Sequence, residues 1–167
     1  TPVVTPTPVV TPTPVVTPTP VVTPTPVVTP TPTSVTGVQV KAVVTTQISS
    51  SINQQYSIIA TGTQSVDLSK LKIRYYYSRT SSKTQSFWCD NAGLQLNVSP
   101  WYMNITSNVV GTLYDNYLEI SFNKDYSLAP GEGSLNIGTR FAQSDWSAYT
   151  GFVDNGVKVF YDGVQVG

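Results

Sequence analysis

Histidine is absent from this 167-residue sequence, and cysteine occurs only once, as Cys89. A single cysteine cannot build an internal disulfide framework, and without histidine the chain lacks the commonest metal ligand and general base. Charged residues are also scarce, at 11% of the chain, and the nine basic residues are balanced in number by nine acidic ones. This balance offers no positive surface to nucleic acid or to an anionic membrane. The composition therefore weighs against catalysis and predicts no nucleic-acid partner.

Long hydrophobic runs are missing as well. No apolar run approaches the roughly 18 residues that are needed to span a bilayer, and no charged segment followed by an apolar one opens the sequence. We therefore expect no membrane contact by this segment. We also expect any export signal to lie outside it, as in a mature internal piece of a longer chain.

The first third of the chain is a repeat of TPVVTP, and it holds eleven of the thirteen prolines and no charged residue. Each proline fixes φ and biases the preceding residue away from the α region, so residues 1–34 are predicted to form an extended, polyproline-like linker. The threonines are candidates for O-glycosylation in a secreted protein. Two readings stay open: a plain semi-rigid spacer, or a segment that docks on an aromatic groove.

Residues 35–167 are predicted to form one β-sandwich module, because they consist of short β-type runs separated by turn signals. In LKIRYYY, for example, Leu71 and Tyr75 alternate with Arg74 and Tyr76. No window of twelve residues carries a helical period. Many short strands at this spacing favour an all-β sandwich of the jelly-roll type. Strands are predicted at 38–44, 54–62, 71–77, 86–90, 94–98, 109–114, 117–122, 134–141 and 157–163, with turn signals at 61–62, 91–93, 129–131 and 162–163.

The segment GTRFAQSDWSAYT, residues 138–150, concentrates side chains that suit a functional site. Alternation in an extended chain places Phe141 and Gln143 on the inner face and Arg140 on the outer face. Trp146 then follows in a loop. A tryptophan in a polar loop either closes a core or offers its ring to a ligand, and composition leaves both options open.

Catalytic chemistry is not indicated by the acidic residues. Glycoside hydrolysis needs two convergent carboxylates, and nothing in the spacing of the candidates marks a pair. We therefore predict that the chain is not an enzyme. The candidates are Asp90, Glu119, Asp145 and Asp154.

Sugar binding is better represented, because aromatic faces stack on sugar rings and planar polar groups bond the hydroxyls. Phe87 and Trp88 are set apart, because they share a strand with Cys89 and one or both are expected in the core. Side chains with the required chemistry are Asp90, Asn91, Trp101, Tyr102, Arg140 and Trp146.

Six ordered motifs carry a resemblance to the family 3 carbohydrate-binding modules, the cellulose-binding domains of cellulosomal scaffoldins, cellulases and clostridial anti-sigma factors. The resemblance covers essentially all of residues 35–167. It implies a nine-stranded jelly-roll sandwich, an extracellular or cell-surface location, no catalysis, and a planar strip that lies along crystalline cellulose. The motifs are DLSKLKIRYYY, QSFWCDN, NITSNVVGT, NYLEISF, LAPGEG and RFAQSDWSAYT.

The resemblance also implies which residues form the strip: Asp90, Asn91, Tyr102, Arg140 and Trp146. The family commonly has histidine where this chain has Asn91, so one stacking platform is weakened, and the neighbouring Trp101 is a candidate replacement. Asp90 and Arg140 are expected to form a flat ion pair, because a planar guanidinium stacks where an ammonium does not.

Many members of the family bind a structural calcium ion between two loops, and the resemblance implies where its ligands would lie. Here the first loop offers Ser78 and Thr80 without a carboxylate, and the second is shortened and offers only Asp154. Calcium takes six to eight oxygens, usually with carboxylate charge. We therefore predict that the calcium site is lost or weak and that the module needs no cofactor.

A second surface is expected on the face opposite the strip, where Arg74, Tyr76, Tyr117 and Glu119 alternate outward. These residues resemble the shallow groove of the family, for which binding of linker peptides has been proposed. Aromatic rings flanked by a charged pair suit a Pro/Thr-rich linker peptide. The alternative is that these tyrosines are ordinary exposed strand residues, since strands favour tyrosine.

Together these features predict a non-catalytic module that binds cellulose or a related plant cell-wall polysaccharide. It would serve either as an extracellular polysaccharide sensor or as a substrate-targeting module, and the regular linker, short calcium loop and altered strip favour the sensor. Two alternatives stay open: a structural or linker-peptide-binding sandwich, and a catalysis-assisting module of a glycoside hydrolase. Retention of Tyr102, Arg140 and Trp146 argues against both.

Overall fold

In the described part of the chain, alternating apolar residues form strands with one buried and one more exposed face, as in Ser51–Ala60 and Leu71–Ser78. The computed structural model describes residues 38–45 and 50–166, the first range as backbone alone. The predicted linker at 1–34 and the predicted start of the module at residue 35 lie outside the described residues, so both stay predictions. The predicted all-β fold is confirmed. The strands are β1 Val38–Thr45, β2 Ser51–Ala60, β3 Val66–Asp67, β4 Leu71–Ser78, β5 Gln85–Leu96, β6 Tyr102–Asn104, β7 Val109–Leu113, β8 Tyr117–Phe122, β9 Ser127–Leu128, β10 Gly133–Gln143, β11 Val153–Tyr161 and β12 Val164–Gln165.

Two five-stranded antiparallel sheets form the sandwich. The first has the order β1-β2-β10-β5-β6, and the second has the order β12-β11-β4-β8-β7. β3 and β9 form a separate two-stranded pair. Three of the twelve strands in the described residues, β3, β9 and β12, are only two residues long, and the nine longer strands equal the expected number. The helices within the described ranges are two 3₁₀ turns, Leu68–Lys70 and Thr106–Asn108, and neither has the length or apolarity to cross a membrane.

The predicted strands at 86–90 and 94–98 and the turn between them were wrong. Residues 85–96 form one continuous strand, β5, which pairs with β10 over its whole length. The turn signal at 91–93 instead coincides with a shift in register opposite Gly138 and Thr139. A long partner strand offers a ladder of backbone hydrogen bonds, and this outweighs the local preference of Asn91 and Gly93 for a turn. The other predicted turn signals fall between strands.

Side chains from both sheets meet in the core, where Phe141 of β10 is fully buried. Its ring stacks on Tyr77 of β4 at 5.0 Å between ring centroids and meets Tyr149 edge-on at 5.9 Å. Phe152 packs against the same group, 5.3 Å from Tyr77. The predicted inner faces of β4 and β10 are thus confirmed. This aromatic cluster packs against the inner face of β10 and holds the strand in position. The residues on the outer face of β10 are therefore also held in place.

Candidate functional site

A β-bulge on β5 places two polar side chains side by side on the outer face of the first sheet. Gly138 pairs with Asn91, but the next residue, Thr139, pairs with Cys89, so Asp90 is the extra residue. Cys89 packs against the core, whereas Asp90 and Asn91 are both exposed. A bulge re-aims side chains in this way because it interrupts strict alternation. Neighbouring positions, which a regular strand would send to opposite faces, therefore serve one surface.

The bulge brings Asp90 next to Arg140 of β10. The guanidinium Nε lies 3.2 Å from Asp90 Oδ1, and both side chains are two-fifths or more exposed. The predicted ion pair is therefore present. Arg140 Nε makes no hydrogen bond to any described residue. Its contact with Asp90 is therefore an ion pair in which the N–H group does not point at the carboxylate oxygen. Because the Arg140 side chain is 40% exposed, its planar group is accessible to a ligand.

Two tryptophans stack beside Arg140. The rings of Trp88 and Trp146 are 5.1 Å apart between centroids and inclined by 21°. The Arg140 guanidinium carbon lies 5.5 Å from the centroid of the Trp88 ring. Trp146 remains 52% exposed, so the stack ends in a ring that is open to solvent.

The sequence interpretation missed Trp88, which it grouped with Phe87 as a core candidate. Phe87 pairs with the buried Phe141 and packs on the core, as predicted, but Trp88 pairs with Arg140 on the outer face. Alternation from the buried Ala92 would have placed Trp88 inward. The register shift at Asp90 reverses this parity, and no local sequence signal marked that shift.

Tyr102 and Trp101 form the other end of this face, on the short strand β6 and the turn before it. They are 54% and 63% exposed. The Tyr102 ring lies flat on the backbone of Gly93, since a Cβ at that glycine would be 2.6 Å from Tyr102 Cζ. A glycine is needed where a ring approaches the backbone this closely.

Planar amides occupy the middle of the face. Gly138 pairs with Asn91 on one side and with Gln55 of β2 on the other. A Cβ at Gly138 would be 2.8 Å from Asn91 Nδ2 and 2.9 Å from Gln55 Nε2, so both amide groups lie low over this glycine. Gln55 was not among the predicted site residues. Only the pairing of β2 with β10 reveals it.

These side chains share the outer face of one sheet and its flanking turns, and we call them the strip. Contacts place five of the six predicted binding residues on this face, whereas Trp101 is exposed in the turn beside Tyr102 and its part in binding stays a prediction. The structure adds Gln55 and Trp88. The strip consists of Gln55, Trp88, Asp90, Asn91, Trp101, Tyr102, Arg140 and Trp146.

Gly93→Ala should weaken ligand binding several-fold while leaving the fold stable. The added methyl cannot coexist with the Tyr102 ring in its present position. Because Tyr102 is more than half exposed, its ring can swing outward instead of straining the sheet. Binding isotherms and thermal melts would measure the two effects. A loss of several degrees in Tm with unchanged affinity would contradict this role for Gly93.

The opposite sheet carries the predicted groove. Arg74 pairs with Glu119 across β4 and β8, and Tyr76 pairs with Tyr117. The two tyrosine rings are 5.3 Å apart, and Tyr114 stacks on Tyr117 at 4.4 Å. Arg74 also covers the ring of Phe160, at 4.4 Å. We call this surface the groove; it consists of Arg74, Tyr76, Tyr114, Tyr117, Glu119 and Phe160.

Glu119 is the one groove residue that is not open to solvent, with 7% exposure. Its two carboxylate oxygens accept hydrogen bonds from Lys72 Nζ at 2.9 Å and Arg74 Nε at 2.8 Å. Burial alone would raise the pKa of Glu119, but the bonds from Lys72 and Arg74 outweigh it and hold the pKa below its usual value. Glu119 therefore stays ionised and orients Arg74 across the aromatic rings.

The residues at the predicted calcium position do not fit that ion. Thr80 Oγ1 donates to the Thr150 carbonyl at 2.8 Å and lies 2.9 Å from Thr150 Oγ1, so the two loops bond directly to each other. These oxygens are neutral. Asp154 accepts instead from the Gly156 amide, at 2.8 Å. Among the described residues, no three acidic or cysteine side chains group as metal ligands would.

A chelator should accordingly leave thermal stability unchanged. The direct bonds between Thr80 and Thr150 join the loops without a metal, and each contributes on the order of 1 kcal/mol. Melting curves with and without excess EDTA would test this, with Thr80→Ala as the matched variant that loses the bonds. A chelator-induced fall in Tm in the unaltered protein would refute the prediction. Thr80→Ala should melt a few degrees lower under both conditions.

Three of the four acidic candidates for catalysis are instead paired with cations. Asp90 pairs with Arg140 on the first sheet, and Glu119 pairs with Lys72 and Arg74 within the second sheet. Asp145 pairs with Lys83 at 2.7 Å. Hydrogen bonds from Lys83 and Ser147 lower the pKa of Asp145, so this carboxyl is unsuited to act as a general acid. Aromatic rings and planar polar groups spread over one sheet of a β-sandwich are the arrangement expected of a carbohydrate-binding module, a non-catalytic class.

Comparisons with known proteins identify the family within this class. The family model described as "Cellulose binding domain" matches residues 37–154. The chain therefore belongs to the cellulose-binding domain family, the family 3 carbohydrate-binding modules.

Curated relatives include scaffold and regulatory proteins. Over 109 residues, or 60% of this chain, it is 45% identical to Cellulosomal-scaffolding protein B of Acetivibrio thermocellus. Over 100 residues, or 59% of the chain, it is 36% identical to Anti-sigma-I factor RsgI4 of the same organism. The matches span only 14% and 19% of the length of these relatives.

Among solved structures, the family 3a carbohydrate-binding module from the cipA scaffolding of Clostridium thermocellum is similar over 78% of this chain and 99% of its own. The TM-score is 0.66 and the identity is 38%. The similarity thus extends over the whole of that module. The fold and family predicted from the motifs are confirmed.

Proposed function

We propose that this module binds cellulose along the strip. The observation that carries the proposal is the bulge at Asp90, which aligns the Asp90–Arg140 pair with the stacked indoles of Trp88 and Trp146 on one face. Membership of the cellulose-binding domain family supports it. Related plant cell-wall polysaccharides share the same ring and hydroxyl chemistry.

The strip chemistry suits a flat, uncharged polysaccharide. Exposed rings at both ends, Trp146 and the Trp101–Tyr102 pair, offer apolar faces to the C–H side of sugar rings. Between them, the amides of Asn91 and Gln55 carry donors and acceptors for hydroxyl groups. Asp90 and Arg140 form an ion pair, so this part of the strip carries no net charge, which suits an uncharged ligand.

A pull-down of the full chain on microcrystalline cellulose tests the proposal. We expect most of the protein in the pellet, and less on insoluble xylan or on pectin gel, whose surfaces are less regular. Competition with soluble cello-oligosaccharides would separate binding of single chains from binding of a crystal face. Absence of the protein from the cellulose pellet would overturn the assignment.

We further propose that the module acts outside the cell as a polysaccharide sensor or a targeting module. The relatives named as an anti-sigma factor and a cellulosomal scaffold support these two settings respectively. Cellulose is insoluble and extracellular, so either role requires the module to lie at or beyond the cell surface. Fusion to a cellulose-degrading enzyme tests whether the module can target, because the fused enzyme should gain activity on crystalline cellulose and none on a soluble substrate. No gain on crystalline cellulose would contradict the targeting role.

A second candidate function belongs to the groove, which we propose as a site for a Pro/Thr-rich peptide. The exposed Tyr114 stacks on the half-buried Tyr117 to provide an aromatic wall, and the Arg74 guanidinium lies over the Tyr117 ring. Proline rings pack between such side chains in known recognition of polyproline segments. The repeat at the start of this chain, TPVVTP, is the occupant that the sequence itself offers.

Nuclear magnetic resonance of the full chain tests this second site. Docking should shift the signals of the repeat away from those of a free TPVVTPTPVV peptide, and Tyr117→Ala should return them. Repeat signals that match the free peptide, together with no response of the tyrosines to added peptide, would exclude the groove as a peptide site. A fully structural role for the sandwich would require failure of both this test and the cellulose pull-down.

A further inference from the structure

We propose that Gln143 is a positioning residue that holds the loop carrying Trp146 in its ligand-binding geometry. The proposal rests on the function assigned to the strip and deepens it. Gln143 is the last residue of β10 and is 1% exposed. The loop that follows it bends back over the Gln143 amide before reaching the buried Tyr149.

The Gln143 side chain is bonded on both ends. Its Nε2 donates to the Ser147 carbonyl at 3.1 Å, to the Ala148 carbonyl at 3.1 Å and to Ser147 Oγ at 3.0 Å. Its Oε1 accepts from Ser81 Oγ at 2.6 Å. A buried amide that satisfies two loop carbonyls replaces the water that those groups would otherwise need.

The Ser81 bond extends the support to the neighbouring loop. Ser144 N donates to the Thr84 carbonyl at 2.9 Å, and Lys83 Nζ reaches Asp145 at 2.7 Å and Ser147 Oγ at 2.9 Å. The Lys83 contacts are exposed and individually weak. Of the described side chains that bond the Trp146 loop, Gln143 is the buried one. Its hydrogen bonds are shielded from water and therefore fix the position of the loop more firmly than the exposed contacts of Lys83.

Trp146 needs such support because its backbone is strained. Its φ is +60°, in the left-handed region that a bulky side chain rarely adopts. Residues held there cost about 1–3 kcal/mol and persist only when their surroundings enforce them. Released from the Gln143 amide, residues 144–148 would relax, and Trp146 would leave the face of Trp88.

Gln143→Met tests the proposal, because methionine fills a similar volume without hydrogen-bonding the loop. Gln54→Met is the matched control, because Gln54 is equally buried and, among the side chains that the structure describes, its amide bonds Ile52 O and Thr139 Oγ1 rather than the Trp146 loop. The first readout is circular dichroism, since two stacked indoles couple their transitions into a paired band. The spectrum of Trp146→Ala supplies the uncoupled reference.

We expect Gln143→Met to lose most of the paired band and to bind cellulose about tenfold more weakly, as when part of an anchor is disordered. Gln54→Met should lower Tm but keep the band and the affinity. If Gln143→Met does not fold, Gln143→Asn takes its place, because that amide is one methylene too short to reach both carbonyls.

A folded Gln143 variant with an unchanged paired band would overturn the proposal. Equal losses in the Gln143 and Gln54 variants would also overturn it, since they would show a general effect on the core. The spectroscopic result does not depend on cellulose. Failure of the unaltered protein to bind cellulose would therefore refute the proposed function and leave the positioning role to be decided by the spectra alone.

Discussion

Replacing Trp146 with alanine should remove most of the affinity for cellulose, at least about 30-fold, while the module stays folded. Exposed aromatic anchors of this kind contribute about 2 kcal/mol or more to binding, and 1.4 kcal/mol is a factor of ten. Trp146 is 52% exposed and contacts Trp88 through one face. Loss of that stack costs only about 0.5–1.5 kcal/mol of stability.

Depletion isotherms on microcrystalline cellulose would measure the loss, and Tyr76→Ala on the opposite sheet is the matched control. Tyr76 lies in the groove beside Tyr117, so its removal should leave cellulose binding unchanged. Equal losses in both variants would show that the strip is not the binding face. Trp88→Ala should fall between them, because it removes the ring on which Trp146 rests.

Phe141→Ala should lower the free energy of unfolding by about 3–5 kcal/mol, the usual cost of truncating a fully buried phenylalanine. Phe141 is 0% exposed and meets rings from β4 and from the loop between β10 and β11. It is 5.0 Å from Tyr77, 5.9 Å from Tyr149 and 6.2 Å from Phe152. A cavity at this point would leave several aromatic contacts unmade at once.

Denaturant unfolding of the full chain would measure this effect, with Phe141→Leu as the milder variant. Leucine retains part of the buried volume, so its loss should be clearly smaller than that of alanine. Similar small losses in both variants would mean that the surrounding rings collapse into the space. Binding per folded molecule should be kept in Phe141→Leu, because the residue faces away from the strip.

Sequence reasoning worked well where alternation was uninterrupted. In β4 and β8 it correctly separated Ile73 and Ile120 from Arg74 and Tyr117, because one face of a two-sided strand must be apolar. The motifs also identified the family. The ion pair of Asp90 with Arg140 followed from charge and position once the motifs were aligned with the family.

It failed where long-range pairing overrode local signals. The segment from Asn91 to Gly93 has the composition of a turn, yet pairing with β10 makes it strand, and the extra residue at Asp90 reverses which side chains face outward. The sequence left Trp88 with Phe87 as a core candidate, whereas the shifted register turns Trp88 to the outer face. A register shift depends on the partner strand, and the residues paired on either side of this shift, Asn91 with Gly138 and Cys89 with Thr139, are 47 and 50 residues apart along the chain.

The sequence by itself determined the β-rich class, the inner and outer faces of regular strands, the family and most of the strip, because these depend on local alternation and residue type. Tertiary structure alone decided that Trp88 and Gln55 join the strip, that Thr80 and Thr150 bond directly, and that Gln143 lies beneath the Trp146 loop. The physical reason is that each of these contacts joins residues whose closeness is set by strand register and loop packing. Neither is encoded in any single stretch of the chain.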